Sequence, residues 1–204
     1  MKKILRLGEP IFQKTENHPG PAGEGARIPN AVPGSQLPII CMIDQEEFDR
    51  LLPLACQWAK SQEAFVLKHG LPLTARQLAD ARRAGVQDSS RVRVLVVDRI
   101  PLPEDKELAE AGRRAQIITD ASRGVAIGHG IIIRADSWQN RELLLHQLVH
   151  VAQCERSGGL KSFVEEYLSD RRNCPDFSVG SLEDEARGLA RQICADDKLA
   201  KQPA

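Results

Sequence analysis

Two histidines in the last third of the chain have the spacing of a pair that could bind one metal ion. His146 and His150 lie four residues apart in the run Leu-His-Gln-Leu-Val-His. In a helix, residues four apart lie one turn apart on the same face, so both imidazoles could reach a single ion at about 2.0 to 2.1 Å. The alternative is a pair of structural histidines in or beside the core.

A carboxylate further along the chain could complete this site. Glu183 follows His150 by 33 positions and falls in the first turn of a predicted helix. Two histidines and one glutamate leave a fourth coordination position open, as in catalytic rather than structural zinc sites. The sequence therefore predicts one Zn²⁺ held by His146, His150 and Glu183. Glu185 is the second choice, and either acid could instead simply stabilise the helix N-terminus.

The elements that must position these residues follow from periodicity and capping patterns. Helices are predicted over residues 44–69, with Gly70 as the stop, and 75–84; from a cap at Asp136 or Ser137 to the glycines at 158–159; around 163–168; and from a cap at Ser181 onward. Strands are predicted over residues 92–97, 115–119 and 125–134, the last with a bulge or a close backbone approach at Gly128-His129-Gly130.

These elements predict an α+β fold in which a small three- to four-stranded sheet packs on the helix that carries the two histidines. Nine of the 22 residues from Asn17 to Pro38 are Gly or Pro. Such a stretch buries too little apolar surface to offset the ordering of its backbone. We therefore expect an N-terminal segment and linker over residues 1–38, followed by one domain over residues 39–204.

Composition excludes several functional classes. The 28 basic and 28 acidic residues give a formal net charge of zero, which argues against a general nucleic-acid binder. No apolar run approaches the roughly 18 residues of a membrane span, and the N-terminus lacks a signal-peptide core. Five scattered cysteines without a C-x-x-C pair indicate reduced thiols, and hence a cytoplasmic protein.

Three segments together resemble a family of small bacterial zincin-like metallopeptidases. Its pattern reads roughly H-E-L-V-H-V-x-Q-Y-E-R-x-G-G, then Y-L, then P-L-E-x-E-A. The matching segments here are His146 to Gly159, Tyr167-Leu168 and Leu182 to Ala186. The resemblance implies a zincin-like fold, a bound zinc ion and a peptide or protein substrate. It also implies Glu183 as third ligand, since Ala186 follows at the E-x-x-A spacing of gluzincins. Those enzymes often carry Asp after that alanine, where this chain has Arg187.

The main departure from that pattern is Gln147, which stands where the family has the general-base glutamate. An amide has no titratable carboxylate and cannot take a proton from the attacking water. Loss of general-base help costs roughly 10² to 10⁴ in rate. The sequence thus predicts a metallopeptidase with impaired or absent hydrolysis. The alternative is a non-catalytic peptide- or protein-binding module. The opening Ile4 to Pro10 also resembles peptide deformylases, which rank lower because their E-G-C ligand motif is missing.

Four further residues each have two interpretations. Tyr167, the single tyrosine, could donate to a developing oxyanion, or could be a half-buried core residue. His129 is expected on an edge strand over the cleft, more simply as an exposed residue. Glu142 could act as a distant substitute base or be a solvated helix acid. Gln153 is expected on the helix surface or behind a metal ligand. The sequence carries no signal for oligomeric state.

Overall fold

The computed structural model describes residues 43–172 and 181–200, and in these ranges the chain forms six α-helices and one four-stranded sheet. The expected α+β class is therefore confirmed, whereas the predicted domain boundary after residue 38 lies outside the described residues. None of the helices in these ranges has the length and apolarity needed to cross a membrane. The helices are α1 (Gln45–His69), α2 (Ala75–Arg83), α3 (Lys106–Arg114), α4 (Arg141–Arg156), α5 (Leu160–Arg172) and α6 (Ser181–Leu199). The strands are β1 (Leu71–Pro72), β2 (Arg93–Val97), β3 (Gly124–Ile127) and β4 (Gly130–Arg134).

The sheet has the order β1-β2-β4-β3, with β2 and β4 parallel and the two outer pairs antiparallel. Strand β4 is fully covered, because its alternate side chains enter two different cores. Ile131 and Ile133 pack with residues of α2 and α4, whereas Ile132 packs with residues of α1. The sheet is therefore the middle layer between α1 and α4. Strand β3 is the edge strand next to β4, at the opposite end of the sheet from β1.

The long strand predicted over residues 125–134 is in fact a hairpin. Ile127 pairs directly with Gly130, so Gly128 and His129 form a two-residue turn and not a bulge. Gly128 has a φ of 60°, which glycine adopts without the strain of a side chain. A Cβ at this position would also lie 2.0 Å from the Glu63 carboxylate. The predicted bulge is therefore wrong, whereas the alternative prediction, a close approach to the backbone at these glycines, agrees with the structure.

The strand predicted over residues 115–119 is wrong. Asp105 caps the N-terminus of α3 by accepting from the Leu108 N–H at 2.8 Å, and the helix runs to Arg114. Gln116 then takes a φ of 52°, and the Ile117 N–H bonds back to the Gly112 carbonyl at 2.9 Å. The residue that ends a helix in the left-handed conformation is usually glycine, and here it is Gln116. The sequence therefore lacks the usual signal for the end of α3.

The predicted positions of α1, α2, β2 and α4 are confirmed to within a few residues. Asp44 caps α1, and Thr74 with Gln77 forms the expected capping box at α2. For α4 the predicted cap is wrong: Asn140 accepts from the Leu143 N–H at 3.0 Å, because residues 135–137 form a separate 3₁₀ turn. As predicted, α4 ends before two glycines that both have positive φ.

Helix α4 is buried on nearly all sides, because the sheet covers one face and α5 and α6 cover others. Three polar residues lie among its buried positions at steps of three: Gln147, His150 and Gln153. Burial of a polar side chain costs free energy unless it is hydrogen-bonded or serves a ligand. These three residues are therefore polar side chains at positions where an apolar residue is usual.

Candidate metal centre

The side chains of His146, His150 and Glu183 converge on one point between α4 and α6. Their ligand atoms lie within 4.8 Å of one another. The two Nε2 atoms are 3.0 Å apart. Glu183 Oε2 lies 3.3 Å from His146 Nε2, and Oε1 lies 3.2 Å from His150 Nε2. Two ligand atoms bound tetrahedrally to one zinc ion lie about 3.3 Å apart, so the spacing of this cluster fits a shared ion.

The two helices bring these residues together by their apolar faces. On α6, Leu182 and Ala186 are buried and flank Glu183 in the first turn. The predicted capping role of Ser181 is not observed, since its hydroxyl donates to Asp170 of α5. Asp170 also accepts from the backbone N–H groups of Ser181 and Leu182 at 3.3 and 3.2 Å. A carboxylate from α5 thus anchors the turn that presents Glu183.

The cluster is buried on one side and reaches solvent on the other. The side chain of His150 is 7% exposed, whereas those of His146 and Glu183 are 20% and 16% exposed. Burial alone would raise the pKa of Glu183. The two imidazoles and the Tyr167 hydroxyl outweigh burial and hold its pKa far below the usual range. The glutamate is therefore an anion beside two imidazoles.

Tyr167 supports the cluster from α5. Its hydroxyl donates to Glu183 Oε1 at 2.6 Å, and its ring makes an edge contact with His150 at 5.8 Å between centroids. Burial, together with the adjacent carboxylate, raises the pKa of Tyr167 well above its usual value, so the phenol remains a donor. The predicted oxyanion role stays a prediction, because the hydroxyl here already has Glu183 as its acceptor.

The structure separates the two candidate third ligands. Glu185 does not join the histidine cluster. Both of its oxygens accept from Arg156 Nη2, at 2.9 and 2.8 Å, and Oε2 also accepts from Gln153 at 3.0 Å. Glu183 is thus the carboxylate that lies with the histidines.

Gln147 lies beside the edge of the sheet. The residue is 4% exposed. A Cβ built on Gly124 of β3 would be 3.5 Å from both Cγ and Nε2 of Gln147. The side chain at the general-base position therefore occupies the space between the histidine helix and the edge strand.

His129 and Glu142 lie away from the cluster. His129 is in the β3–β4 turn and not in the strand, and the exposed position expected for it is wrong. Its side chain is 12% exposed and its Nε2 bonds Glu155 Oε1 at 2.9 Å. Glu142 is half exposed and lies 3.5 Å from Arg191 of α6, as expected of a solvated helix acid. Arg187 is also partly exposed and lies 3.8 Å from Asp184.

Sequence reasoning missed one ionic cluster that fixes α4 in place. Arg141 donates two hydrogen bonds to Asp80 of α2, at 2.9 and 2.6 Å, and also contacts Asp197 of α6 at 2.7 Å. Asp80 is 4% exposed. An acid on the apolar face of α2 was the available signal, because a buried carboxylate needs a partner.

In chemical terms the arrangement offers two imidazole nitrogens and one ionised carboxylate oxygen around a common point that is open on one side. Imidazole and carboxylate together suit zinc and similar divalent metals. No protein family, curated protein or solved structure matches this chain. The functional interpretation therefore depends on the geometry of the described residues.

Proposed function

We propose that the protein binds one zinc ion through His146, His150 and Glu183, in a zincin-like domain of metallopeptidase type. The observation that carries this proposal is that two imidazole nitrogens 3.0 Å apart on one helix meet a carboxylate from another helix, whose two oxygens lie 3.2 and 3.3 Å from them. A structural zinc site is usually closed by four protein ligands, often cysteines. Three ligands of this kind, open to solvent on one side, favour a site that admits a substrate.

The surroundings of the cluster support a peptide or protein as the bound molecule. Among the described residues, β3 is an edge strand with one unpaired side, and it lies next to α4 beside Gln147. An extended peptide can add to such an edge through main-chain hydrogen bonds. We infer that a peptide paired with β3 would lie across the cluster.

Hydrolysis by this site is proposed to be slow or absent. A bound Zn²⁺ would supply a Lewis acid that polarises a substrate carbonyl. Gln147 can orient a water molecule by hydrogen bonding but cannot accept its proton. The two acids that could replace the missing base are engaged elsewhere, Glu142 with Arg191 and Glu185 with Arg156.

The second candidate function is a non-catalytic module that binds a peptide or protein, with or without the metal. Gln147 is the observation that favours it, since an amide preserves the shape of the site without its base. The two candidates differ in what a restored carboxylate at position 147 would do: it would raise the rate of hydrolysis in a metallopeptidase and leave a binding module inactive.

The first experiment is the metal content of the purified protein. We expect one zinc per chain in the wild type, and its loss in His146→Ala, His150→Ala and Glu183→Ala. Glu142→Ala is the matched control, because Glu142 lies on the same helix but pairs with Arg191 at the surface. Unchanged zinc in the three ligand variants, with the fold intact by circular dichroism, would show that the site is misassigned. Zinc lost from Glu185→Ala but kept in Glu183→Ala would make Glu185 the ligand.

A further inference from the structure

We propose that Gln153 is a positioning residue that fixes the tautomer of His150, so that its Nε2 lone pair faces the cluster. The proposal rests on the proposed function, since the lone pair matters only if a metal binds there. It is carried by a chain of hydrogen bonds behind His150 that involves no ligand atom of the cluster.

The orientation of the Gln153 amide is determined by its neighbours. Gln153 is 0% exposed, so its polar atoms depend on protein partners. Its nitrogen lies 2.9 Å from the Leu182 carbonyl and 3.0 Å from Glu185 Oε2. A carbonyl and an ionised carboxylate can only accept, and they take both N–H groups of the amide. The amide oxygen must then face the other way, toward His150.

That oxygen lies 2.7 Å from His150 Nδ1. Because an amide oxygen cannot donate, Nδ1 must carry the proton. A neutral imidazole with its proton on Nδ1 has a lone pair on Nε2, and this Nε2 is the atom 3.0 Å from His146 and 3.2 Å from Glu183. Gln153 therefore selects the tautomer that a metal requires.

The network also explains why Glu185 is held apart from the metal ligands. Arg156 binds both of its oxygens, which keeps the carboxylate ionised and beside the Gln153 amide. His150 thus donates to Gln153, and Gln153 and Arg156 both donate to Glu185, so the acceptor at the surface sets the direction of every hydrogen bond back to His150.

The first test measures the tautomer directly in the metal-free wild-type protein. Long-range ¹H–¹⁵N spectra distinguish a proton on Nδ1 from one on Nε2. We expect the Nδ1–H form for His150, and a mixture of the two forms in Gln153→Leu. An Nε2–H form in the wild type would overturn the proposal. This measurement needs no bound metal and no variant that folds.

The second test measures Zn²⁺ affinity by competition with a chromophoric chelator. Loss of a partner behind a metal ligand typically costs 10- to 100-fold in affinity, and we expect this for Gln153→Leu. The double variant Gln153→Glu with Glu185→Gln supplies a carboxylate acceptor for His150 Nδ1–H and an amide donor behind it. We expect its affinity to lie within about threefold of the wild type or to be tighter, since carboxylate partners raise imidazole basicity.

Both variants lose the hydrogen bond to the Leu182 carbonyl, and in the double variant a carboxylate oxygen faces that carbonyl. A purely structural role would therefore weaken zinc binding by the double variant at least as much as by Gln153→Leu. That outcome, or wild-type affinity in Gln153→Leu, would overturn the proposal. A wild-type protein that binds no zinc would instead refute the proposed function, while the tautomer measurement would still decide the role of Gln153. The melting temperatures of the metal-free proteins provide the control for folding.

Discussion

Restoring the general base is the change that best separates the two candidate functions. The substitution Gln147→Glu replaces one amide nitrogen by oxygen and keeps the shape of the side chain. Gln147 is 4% exposed, and its Cγ and Nε2 lie 3.5 Å from a Cβ built on Gly124. A side chain of the same volume therefore fits without movement of β3. We expect the folded structure to be retained.

The expected magnitude follows from the chemistry that the amide lacks. General-base catalysis contributes roughly 10² to 10⁴ in rate, equivalent to about 3 to 5 kcal/mol of barrier at 1.36 kcal/mol per decade. The new carboxylate also adds a buried negative charge, since Gln147 is 4% exposed. Without a cation this charge should lower stability. We therefore expect zinc to raise the melting temperature of Gln147→Glu by more than that of the wild type.

The assay is hydrolysis of an unstructured, fluorescently labelled protein by zinc-loaded enzyme. We expect Gln147→Glu to cleave it at least 10² times faster than the wild type, and a chelator to abolish the gain. The matched control is Gln147→Glu combined with Glu183→Ala, which has the base but lacks a ligand and should stay inactive. No gain from a folded, zinc-loaded Gln147→Glu across a broad peptide library would refute this reasoning and favour the binding module.

Three other changes test the framework around the site. Asp80→Ala should lower the unfolding free energy by about 3 kcal/mol in urea titrations, since it leaves Arg141 with Asp197 alone, a partly exposed partner. The variant Arg113→Ala, which breaks an exposed pair, should change it by less than about 1 kcal/mol. Burial raises the pKa of Glu155, but two backbone N–H groups and His129 lower it by more. Its stabilising contribution should be complete above the ordinary glutamate pKa of about 4.3 and decline as the pH falls through the lower folded value; Glu155→Gln should therefore flatten the acid limb of the stability curve, and an unchanged limb would contradict this. Deletion of residues 1–37 should leave a folded, zinc-binding protein, and a large fall in melting temperature would show that this segment contributes to the core.

Local signals in the sequence account for most of the helices. The ends of α1 and the capping box of α2 depend on residues within one turn of each other, so the chain encodes them without reference to the rest of the fold. The juxtaposition of His146 and His150 is of the same kind, since it follows from helix geometry alone. Strand β2 was equally recognisable from its short run of β-branched residues.

The errors occur where a distant contact decides the local structure. Asp170 of α5 anchors the start of α6, and no pattern near Ser181 reveals this. Gln153 was expected either at the surface or behind a ligand, and only the packing of α6 against α4 decides that it is buried behind His150. The left-handed Gln116 is a different kind of error, because a residue that rarely takes this conformation ends α3.

The hydrogen bonds of the buried polar residues on α4 distinguish a metal site from a structural histidine pair. Each buried polar group without a hydrogen-bond partner costs about 1 to 3 kcal/mol of stability. Helix α4 is buried on nearly all sides, so its three buried polar residues lower stability unless they bind a partner. The far side of His150 is fully satisfied by Gln153, which commits the ring proton to that side. Its Nε2 is thereby left as an acceptor that faces His146 Nε2 and a carboxylate oxygen, which are themselves acceptors unless a proton intervenes. One divalent cation would satisfy all three atoms at once, whereas a single proton shared among them satisfies two. The hydrogen bond of His150 thus lies behind the cluster, and acceptor atoms face the centre of the cluster. This is the arrangement expected of a metal site.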